Sequence, residues 1–312
     1  MKNDAPRILA IIITFNGEKW IVNCMNSVLS SAQKLSVLVV DNNSADNTVS
    51  IIKRNYPEVI LIENRGNIGF GQANNAGFDY ALSHQFDFVL LLNQDAAITP
   101  STVDCLLHGY EKNQEYGLIS PLHFQGNGTL PDNKFYKYIT NGCRSYITDL
   151  IAKREIRQIY SSGFINAAIW FLSAECIKKV GGFDPVFFHA GEDVDYYARV
   201  LYHGFKAGLC PSAIAFHYRE NRKETNSRNR HFYYQYLQAV NWLKNPNYNR
   251  KARVLIYHYV INAFRYLFFL DTFSFGKNIS ILVKIFRSMG VIKKNKRICM
   301  NSVTPPFLKV YT

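Results

Sequence analysis

Short apolar runs alternate with longer stretches of helical periodicity through the first 120 residues of the chain. The runs carry no regular polar alternation, so as strands they would be apolar on both faces. Strands of that kind are typical of a parallel sheet with helices packed on each side. The pattern predicts an α/β domain with a central, mostly parallel sheet. Its first strands are Ile8–Ile13, Val37–Asp41, Val59–Glu63 and Phe88–Asn93, and its first helices are Glu18–Ser31, Ala45–Asn55 and Gly71–Ser83.

The next hundred residues are less regular. Proline in a first turn and threonine as a cap predict a helix from Pro100 to Lys112 that begins after Thr99. Residues 124–160 are polar, rich in Gly and Asn and aperiodic, so we expect an excursion over the sheet, with a hairpin as one form of it. The remaining predicted elements are strands Tyr116–Pro121, Phe164–Leu172 and Ala213–His217 and helices Ala174–Val180 and Asp193–Tyr202.

Positive charge is concentrated at the end of the chain. Residues 244–312 contain thirteen Lys or Arg and one acid, Asp271, so they account for +12 of the formal net charge of +13. A basic region of this kind usually meets an anionic partner, either nucleic acid or the anionic lipids of a cytoplasmic leaflet. The sequence therefore predicts two parts, residues 1–225 and a basic, aromatic, helical extension, residues 226–312.

The extension is expected to lie on a membrane surface rather than cross the bilayer. The segment Val254–Leu270 is apolar, but a polar stripe recurs in it at helical spacing. An in-plane amphipathic helix fits this pattern, and a second one follows at Ile279–Met289. Basic residues interleaved with long aliphatics argue against a nucleic-acid groove. A subdomain with solvated charges, or packing against a second copy in a homodimer, stays open. The polar stripe consists of Lys251, His258, Asn262 and Arg265.

Two further features bear on the compartment. No basic region, long apolar core and cleavage site precede Ile8 in the order of a secretory signal, so the chain is expected in the cytoplasm. The six cysteines contain no CxxC pair, which favours reduced, buried thiols over a zinc site or disulfides. Together with the extension, these features predict a peripheral protein at the inner face of the plasma membrane.

Polar groups follow each of the first four predicted strands, where open parallel sheets bind their ligands. Each group alone would be ordinary turn chemistry, because Asn, Asp and Gly are common in turns and caps. Together, in this order, they predict one cleft at the carboxyl ends of the strands. The four groups are Thr14–Gly17, Asp41–Ser44, Asn64–Gly71 and Asn93–Asp95.

Individual residues of this cleft indicate a nucleotide ligand. The carboxylate of Asp41 can accept the imide N–H of uracil or thymine, with a cap for the helix that begins at Ala45 as the alternative. The Gly-rich stretch 66–71 opens a helix, so its backbone N–H groups can approach phosphate oxygens. Arg65 could add positive charge toward a diphosphate.

A metal ion is indicated at Asp95. This residue follows the most apolar strand, where a bare carboxylate is costly unless it is paired or binds a cation. A hard divalent ion, Mg²⁺ or Mn²⁺, shared with a diphosphate would compensate it. His217 closes the last predicted strand and its imidazole suits Mn²⁺ better than Mg²⁺, but a structural role for this histidine is equally open.

A second acidic cluster opens a later helix. Glu192, Asp193 and Asp195 stand within four residues and could simply be favourable first-turn acids. Adjacent like charges also raise each other's pKa, which suits a group that accepts a proton near neutrality. Asp193 is the better candidate for such a base, whereas Asp195 can pair with Arg199 at i+4.

The ordered set of motifs resembles glycosyltransferase family 2, which has the A-type nucleotide-sugar fold, and is most similar to its bacterial rhamnosyltransferase-like members. The resemblance covers residues 8 to about 220. The segments that carry it are Ile12–Asn16, Val39–Ser44, Gly66–Asn74, Leu90–Asp95, Gly181–Asp184 and Glu192–Asp195.

This resemblance implies an inverting, metal-dependent glycosyltransferase. Asp193 would deprotonate the acceptor hydroxyl, with Glu192 beside it. Asp95 and His217 would bind the metal that bridges the donor diphosphate. The donor would be dTDP-rhamnose or a UDP-hexose, and the acceptor a lipid-linked cell-surface glycan at the cytoplasmic leaflet. The donor-binding residues would be Thr14, Phe15, Asn16, Asp41, Asn43, Arg65, Asn67, Asn74 and Gln94.

One departure and two rival functions accompany this interpretation. The metal motif of the family has acids at both ends, whereas Asn93 takes the first place here, so metal affinity is expected to be modest. A sugar nucleotidyltransferase would resemble sequences with Lys or Arg in a Gly-rich loop after the first strand, where this chain has Thr14–Asn16. A catalytically silent sugar-nucleotide or nucleic-acid binding protein is the other alternative.

Overall fold

A computed structural model describes residues 5–219, 228–301 and 303–309. Within these ranges nine strands form one mixed sheet in the order β3-β2-β1-β4-β8-β6-β9-β5, and β7 pairs with β9. The strands are β1 (Ile8–Thr14), β2 (Leu35–Asp41), β3 (Ile60–Glu63), β4 (Phe88–Asn93), β5 (Ala96–Ile98), β6 (Tyr116–Gln125), β7 (Tyr160–Ser161), β8 (Ile169–Ser173) and β9 (Lys206–His217).

Helices flank the sheet and make up the C-terminal region of the described chain. The first four begin and end within three residues of their predicted limits. The helices are α1 (Ile21–Leu29), α2 (Thr48–Asn55), α3 (Phe70–Ser83), α4 (Thr102–Glu111), α5 (Asn133–Gly142), α6 (Arg144–Ile151), α7 (Ala174–Val180), α8 (Glu192–Tyr202), α9 (Arg228–Lys244), α10 (Ala252–Phe268) and α11 (Thr272–Asn301).

The four strands predicted at the start of the chain lie side by side and are parallel. β1 pairs with β2 and with β4, and β2 pairs with β3. Successive residues of β1 enter different cores: Ile8 and Ile12 lie in one, and Leu9 and Ile11 lie in the other. The predicted burial on both faces is therefore confirmed for β1, β2 and β4, whereas β3 at the edge of the sheet is only half-buried.

The second half of the sheet mixes strand directions. β8 runs antiparallel to both β4 and β6, and β6 runs parallel to β9. The predicted strand Ala213–His217 is only the end of β9, which begins at Lys206. Pro211 interrupts the apolar run in the sequence, and the pairing with β6 shifts register just after its neighbour Cys210. Proline cannot donate to a ladder, so the strand continues past it as an irregularity.

The expectation of an irregular excursion with a hairpin over residues 124–160 holds only at its start. An antiparallel bridge joins Phe124 and Pro131, but helices α5 and α6 then occupy about half of the segment. Asp132 caps α5 by accepting the backbone N–H groups of Lys134 and Phe135. Phe135 and Ile139 are buried one turn apart in a small core. The buried residues Phe135, Ile139 and Cys143 do recur at helical spacing, so the period is present in the sequence, but the polar composition of the segment obscures it.

Thr99 does not cap α4. Ser101 holds the N-cap position without a side-chain hydrogen bond, and the helix begins at Thr102. The hydroxyl of Thr102 accepts from the backbone N–H of Thr99 at 2.8 Å and donates to the carbonyl of Ile214. The start of α4 is thus fixed to β9 rather than capped from the preceding residue.

Helices α9, α10 and α11 pack around a third core, which also includes Phe187 from the loop before α8. The predicted boundary between residues 225 and 226 lies outside the described residues. Among the helices that are described, none is both long enough and apolar enough to cross a bilayer.

Candidate active site

The carboxyl ends of β1 and β2 form a rigid polar pocket. Thr14 and Asp41 are register partners, and Thr14 Oγ1 donates to Asp41 Oδ1 at 2.6 Å. Ser44 donates its hydroxyl to Oδ1 at 2.6 Å and its backbone N–H to Oδ2 at 2.8 Å. The Asp41 side chain is therefore a buried acceptor in a fixed orientation. It does not cap α2, because Asn47 holds that N-cap position.

The loop after β1 closes over this pocket. Asn16 has a positive φ of 49°, and its side chain accepts the backbone N–H of Ala45 at 2.8 Å. Gln94 exchanges two hydrogen bonds of 3.0 Å with the backbone of Phe15. Phe15 follows Thr14, which bonds to Asp41, and is 45% exposed, so it can offer an apolar ring to a base.

The Gly-rich stretch does open a helix. Gly69 is the N-cap residue of α3 with φ +86°, and a Cβ there would lie 2.3 Å from the carbonyl oxygen of Phe188. Asn67 is exposed, and its side-chain oxygen accepts the backbone N–H of Gly69. Arg65 and Asn43 are also exposed. Asn43 follows β2, and Arg65 and Asn67 follow β3, so all three lie beyond the carboxyl ends of these strands.

Asn74 is as deeply buried as Thr14 and Asp41, but its side chain bonds within its own helix. It is 1% exposed, and its amide group donates to the carbonyl of Phe70 one turn earlier at 2.9 Å. The structure therefore buries the Asn74 side chain against α3 and does not expose it with Arg65 and Asn67.

Asp95 and His217 come together although they lie far apart in the chain. Antiparallel pairing of β5 with β9 places Ala96 opposite His217, so that His217 Nε2 lies 3.5 Å from Asp95 Oδ1. Both side chains are about 1% exposed. Asp132 Oδ2 lies 3.7 Å from the other ring nitrogen of His217, too far for a hydrogen bond.

These residues fit a divalent ion that takes most of its ligands from a substrate. Among the described residues, no group of three or more His, Cys, Asp or Glu side chains is arranged to hold a metal. One carboxylate and one imidazole would leave several positions to diphosphate oxygens and water, which is how Mg²⁺ is commonly bound beside phosphates.

The predicted base lies at the start of α8. Gly191 is the N-cap residue, and both Ala190 and Gly191 have left-handed backbones, with φ of 68° and 87°. Glu192 is buried, whereas Asp193 is half-buried. Burial raises the pKa of Asp193, against hydrogen bonds from the backbones of Val194 and Ala167.

The Asp193 carboxylate lies at the carboxyl ends of the strands, as the pocket around Asp41 does. Asp193 accepts a hydrogen bond from the backbone of Ala167, and the next residue, Ala168, accepts the backbone N–H of Asn93 at 2.9 Å. Asn93 is the last residue of β4, and its register partner on β1 is Ile13. These contacts place Asp193, Asn93 and the Thr14–Asp41 pair near one another at the carboxyl ends of the strands, and Asp95 follows Asn93 by two residues.

Three side chains of this cleft were not predicted: Arg219, Asp132 and Tyr138. Arg219 Nε lies 3.0 Å from His217 Nδ1 and 3.6 Å from Asp132 Oδ2. Burial, and then the Asp193 charge, raise the pKa of Tyr138. Arg219 follows His217 at i+2, the spacing at which extended residues share a face, so it could have been found. Asp132 and Tyr138 lie in the segment that was expected to be a loop.

Glu192 gives the site a measurable pH signature. Burial, and then the neighbouring Asp193 charge, raise the pKa of Glu192 from 4.5 to about 8. A raised folded-state pKa contributes stability that is complete below pH 4.5 and is lost as the pH rises through 8. Glu192→Gln removes this loss. As the pH rises through the interval, the variant should therefore become more stable than wild type, by up to about a few kcal/mol in the free energy of unfolding, and its melting temperature should be correspondingly higher.

Thermal melts of the ligand-free protein from pH 4 to pH 9 would measure this difference. Glu63→Gln is the control, because Glu63 is exposed and pairs with Lys53 at 2.7 Å. Identical pH profiles for wild type and Glu192→Gln would contradict the assignment of a buried, protonated Glu192.

Sequence comparisons agree with this geometry. The model of the family described as "Glycosyl transferase family 2" matches residues 9–172, and a model described as "Glycosyltransferase (GlcNAc)" matches residues 110–258. An N-acetylglucosaminyl-diphospho-decaprenol L-rhamnosyltransferase of Mycobacterium tuberculosis is 26% identical over 212 residues. That alignment covers 61% of this chain and 69% of the relative.

Two solved structures share the fold. TarS of S. aureus in complex with UDP-GlcNAc has a TM-score of 0.54 at 18% identity, covering 78% of this chain and 68% of that one. The mannosyltransferase PcManGT of Pyrobaculum calidifontis in complex with GDP-Man and Mn²⁺ has a TM-score of 0.54 at 14% identity, covering 98% and 83%. These likenesses confirm the A-type glycosyltransferase fold. Since the first family model spans more than half of the chain, the protein belongs to glycosyl transferase family 2.

Proposed function

We propose that this glycosyltransferase moves a sugar from a nucleoside-diphosphate donor to a hydroxyl group of a lipid-linked glycan, with inversion at the anomeric carbon. One observation carries the proposal. The Asp41 pocket, the Asp95–His217 pair and the Asp193 carboxylate all lie at the carboxyl ends of strands of the sheet. That order matches the base, diphosphate and reacting carbon of a bound nucleotide sugar.

The chemistry follows from these positions. Asp193 accepts the proton of the acceptor hydroxyl, whose oxygen then bonds to the anomeric carbon. The bond between that carbon and the diphosphate breaks on the opposite face, and the nucleoside diphosphate leaves. Asp95 and His217 would hold Mg²⁺ or Mn²⁺, which supplies positive charge to the leaving diphosphate. Arg219 adds a fixed cation beside His217.

The choice of donor rests on Asp41 and on the relatives. A carboxylate acceptor suits the imide N–H of uracil or thymine, which favours UDP or dTDP. The M. tuberculosis relative is named as a rhamnosyltransferase, and TarS was solved with UDP-GlcNAc. We therefore propose dTDP-rhamnose or a UDP-hexose as donor.

Calorimetric titration with UDP, dTDP and GDP, each with and without Mn²⁺ or Mg²⁺, tests this proposal. We expect a pyrimidine diphosphate to bind more tightly than GDP, and the metal to strengthen binding. Asp41→Asn should weaken pyrimidine binding by roughly 10-fold or more, because the acceptor loses its charge and its new NH₂ group faces the donors Thr14 and Ser44. Asp87→Asn is the control, since Asp87 precedes β4 at the opposite end of the sheet. Equal affinity for all three nucleotides, or no effect of Asp41→Asn, would contradict the assignment.

We also propose that the protein works in the cytoplasm as a peripheral protein on the anionic inner face of the plasma membrane. Helix α10 presents an exposed apolar stripe at helical spacing, with Tyr257, Phe264 and Phe268 at 68%, 64% and 81% exposure. Arg253 and Arg265 are exposed beside it. An apolar stripe with flanking cations suits a surface of anionic lipid, where the lipid-linked acceptor resides. The full stripe is Val254, Tyr257, Ile261, Phe264 and Phe268.

Co-sedimentation with vesicles tests the membrane surface. Wild type should bind vesicles that contain anionic lipid and release them at high salt. Replacing Phe264 and Phe268 by Ser should weaken binding by roughly 10-fold or more, because each buried phenyl ring contributes about 1.5–3 kcal/mol. Ile151→Ser is the control, since Ile151 is 79% exposed on α6. Unchanged binding of the double variant would contradict the proposal. A dimer in solution that the double variant abolishes would favour a second copy as the partner instead.

A further inference from the structure

Helix α9 of the C-terminal region holds the loop that leads to the acidic pair Glu192 and Asp193. Tyr233 donates its hydroxyl to the carbonyl of His189 at 2.9 Å. Two turns later, Asn241 donates its amide to the carbonyl of Gly191 at 3.0 Å. Both acceptors lie within three residues of Glu192, so the end of this loop is fixed from α9.

A buried ion cluster continues the same contact surface. Lys244, at the end of α9, binds Asp184 at the start of the loop and Asp195 Oδ1 at 2.9 Å. Arg199 pairs with Asp195 Oδ2 at 2.9 Å, as predicted from their i+4 spacing. Asn295 of α11 donates to Asp184 Oδ1 at 2.7 Å. The side chains of Lys244, Asp184, Asp195 and Arg199 are at most 1% exposed.

The backbone at Ala190 and Gly191 has an unfavourable conformation that neighbouring segments must stabilise. Ala190 and Gly191 both have positive φ, and a left-handed alanine persists only where its surroundings impose it. These two residues set the direction in which Glu192 and Asp193 enter the cleft. The hydrogen bonds from Tyr233 and Asn241 flank this pair of residues.

We propose that Tyr233 and Asn241 are positioning residues, through which the C-terminal helices place the Asp193 carboxylate for proton transfer. This inference rests on the proposed function of Asp193 as the base. It predicts that turnover depends on α9 but donor binding does not. The hydrogen bonds that hold Asp41 come from Thr14, at the end of β1, and from Ser44, after β2, and none of them comes from α9. Small displacements of a reacting group are enough to slow a transfer strongly.

Asn241→Ala, Tyr233→Phe and the double variant test this role. We expect kcat to fall by roughly 10- to 100-fold in the double variant, while the KM for donor and the affinity for the nucleoside diphosphate change little. The melting temperature should fall by roughly a few degrees, because two hydrogen bonds are lost. Asn247→Ala is the matched control. Asn247 also donates its amide to a backbone carbonyl of α8, that of Ala198 at 2.8 Å, but away from the acidic pair. Its kcat should stay within about twofold of wild type.

Three results would overturn the inference: a wild-type kcat in the double variant, an equal loss in Asn247→Ala, or a loss that appears in KM for donor rather than in kcat. Asp193→Asn separates this failure from that of the proposed function. If Asp193→Asn retains turnover, the base assignment itself is wrong. If it loses turnover while the α9 variants do not, only the positioning role is wrong.

Discussion

Asp193→Asn is expected to lower the rate of sugar transfer by roughly 10²–10⁴-fold, the usual contribution of a positioned general base. The variant keeps the shape of the side chain, and its amide oxygen can still accept the backbone N–H of Val194, which the carboxylate accepts at 2.9 Å. It removes only the capacity to take a proton. The loss should therefore appear in kcat, measured as release of the nucleoside diphosphate in the presence of acceptor.

Donor affinity is the internal control for this variant. The nucleotide pocket is made by Thr14, Asp41 and Ser44, with no contribution from α8, so titration with the nucleoside diphosphate should give wild-type affinity. Glu192→Gln should lose much less activity than Asp193→Asn at pH 7, because the Glu192 carboxyl is already largely protonated there, with a pKa of about 8. The reverse order of losses would make Glu192 the base.

Lys244→Met is expected to produce the largest loss of stability. Lys244 neutralises two buried carboxylates, and its removal leaves Asp184 with no cation of comparable closeness in the described cluster. Breaking a buried ion pair on one side costs about 3–5 kcal/mol. For a chain of this size the melting temperature should fall on the order of 10 °C.

The pH dependence of this variant gives a second readout. Although burial acts in the opposite direction, Lys244 and Arg199 hold the pKa of Asp195 below its usual range. A lowered folded-state pKa contributes stability that is present above the unfolded value of 3.8 and is lost as the pH falls through the folded value. Without Lys244 this lowering weakens, so Asp195 has less stability to lose in acid, and the difference in melting temperature between wild type and Lys244→Met should narrow as the pH falls.

Lys206→Met is the matched control for Lys244→Met. Lys206 pairs with Glu115 at 3.3 Å, but its side chain is 56% exposed, and exposed pairs contribute at most about 1 kcal/mol. Melting curves of the two variants would show whether the loss of stability comes from burial of the ion pair or from removal of one positive charge. A loss for Lys244→Met no larger than for Lys206→Met would contradict the importance of the buried cluster.

The parts of the fold that could be predicted are those in which one local pattern decides the structure. The strands β1, β2 and β4 are mainly apolar and buried on both faces, so their composition is enough to identify them. The half-buried strand β3 is recognised by the same apolar composition. The polar groups that end these strands follow from the geometry of parallel sheets. Asp41 and Asp95 could be recognised for that reason before any coordinates were known.

The parts that could not be predicted depend on contacts between distant segments. Helices α5 and α6 carry their apolar residues at helical spacing within a polar, Gly- and Asn-rich segment, so the overall composition indicates a loop although the period is present. Asp132 is not recognised in the sequence for the same reason. The hydrogen bond from Asn241 to Gly191 joins residues that are fifty positions apart. Neither residue has a local pattern that indicates the other. Long-range contacts of this kind require the tertiary structure.

The buried ion cluster also constrains how this protein can be recombined with its relatives. Exchanging C-terminal regions between family members is an obvious route to a new acceptor preference. A chimera joined between residues 219 and 228 would take Lys244 and Asn295 from one parent and Asp184 and Asp195 from the other. Such a hybrid would need compatible charges on both sides of the junction, so these positions should be transplanted as a single unit.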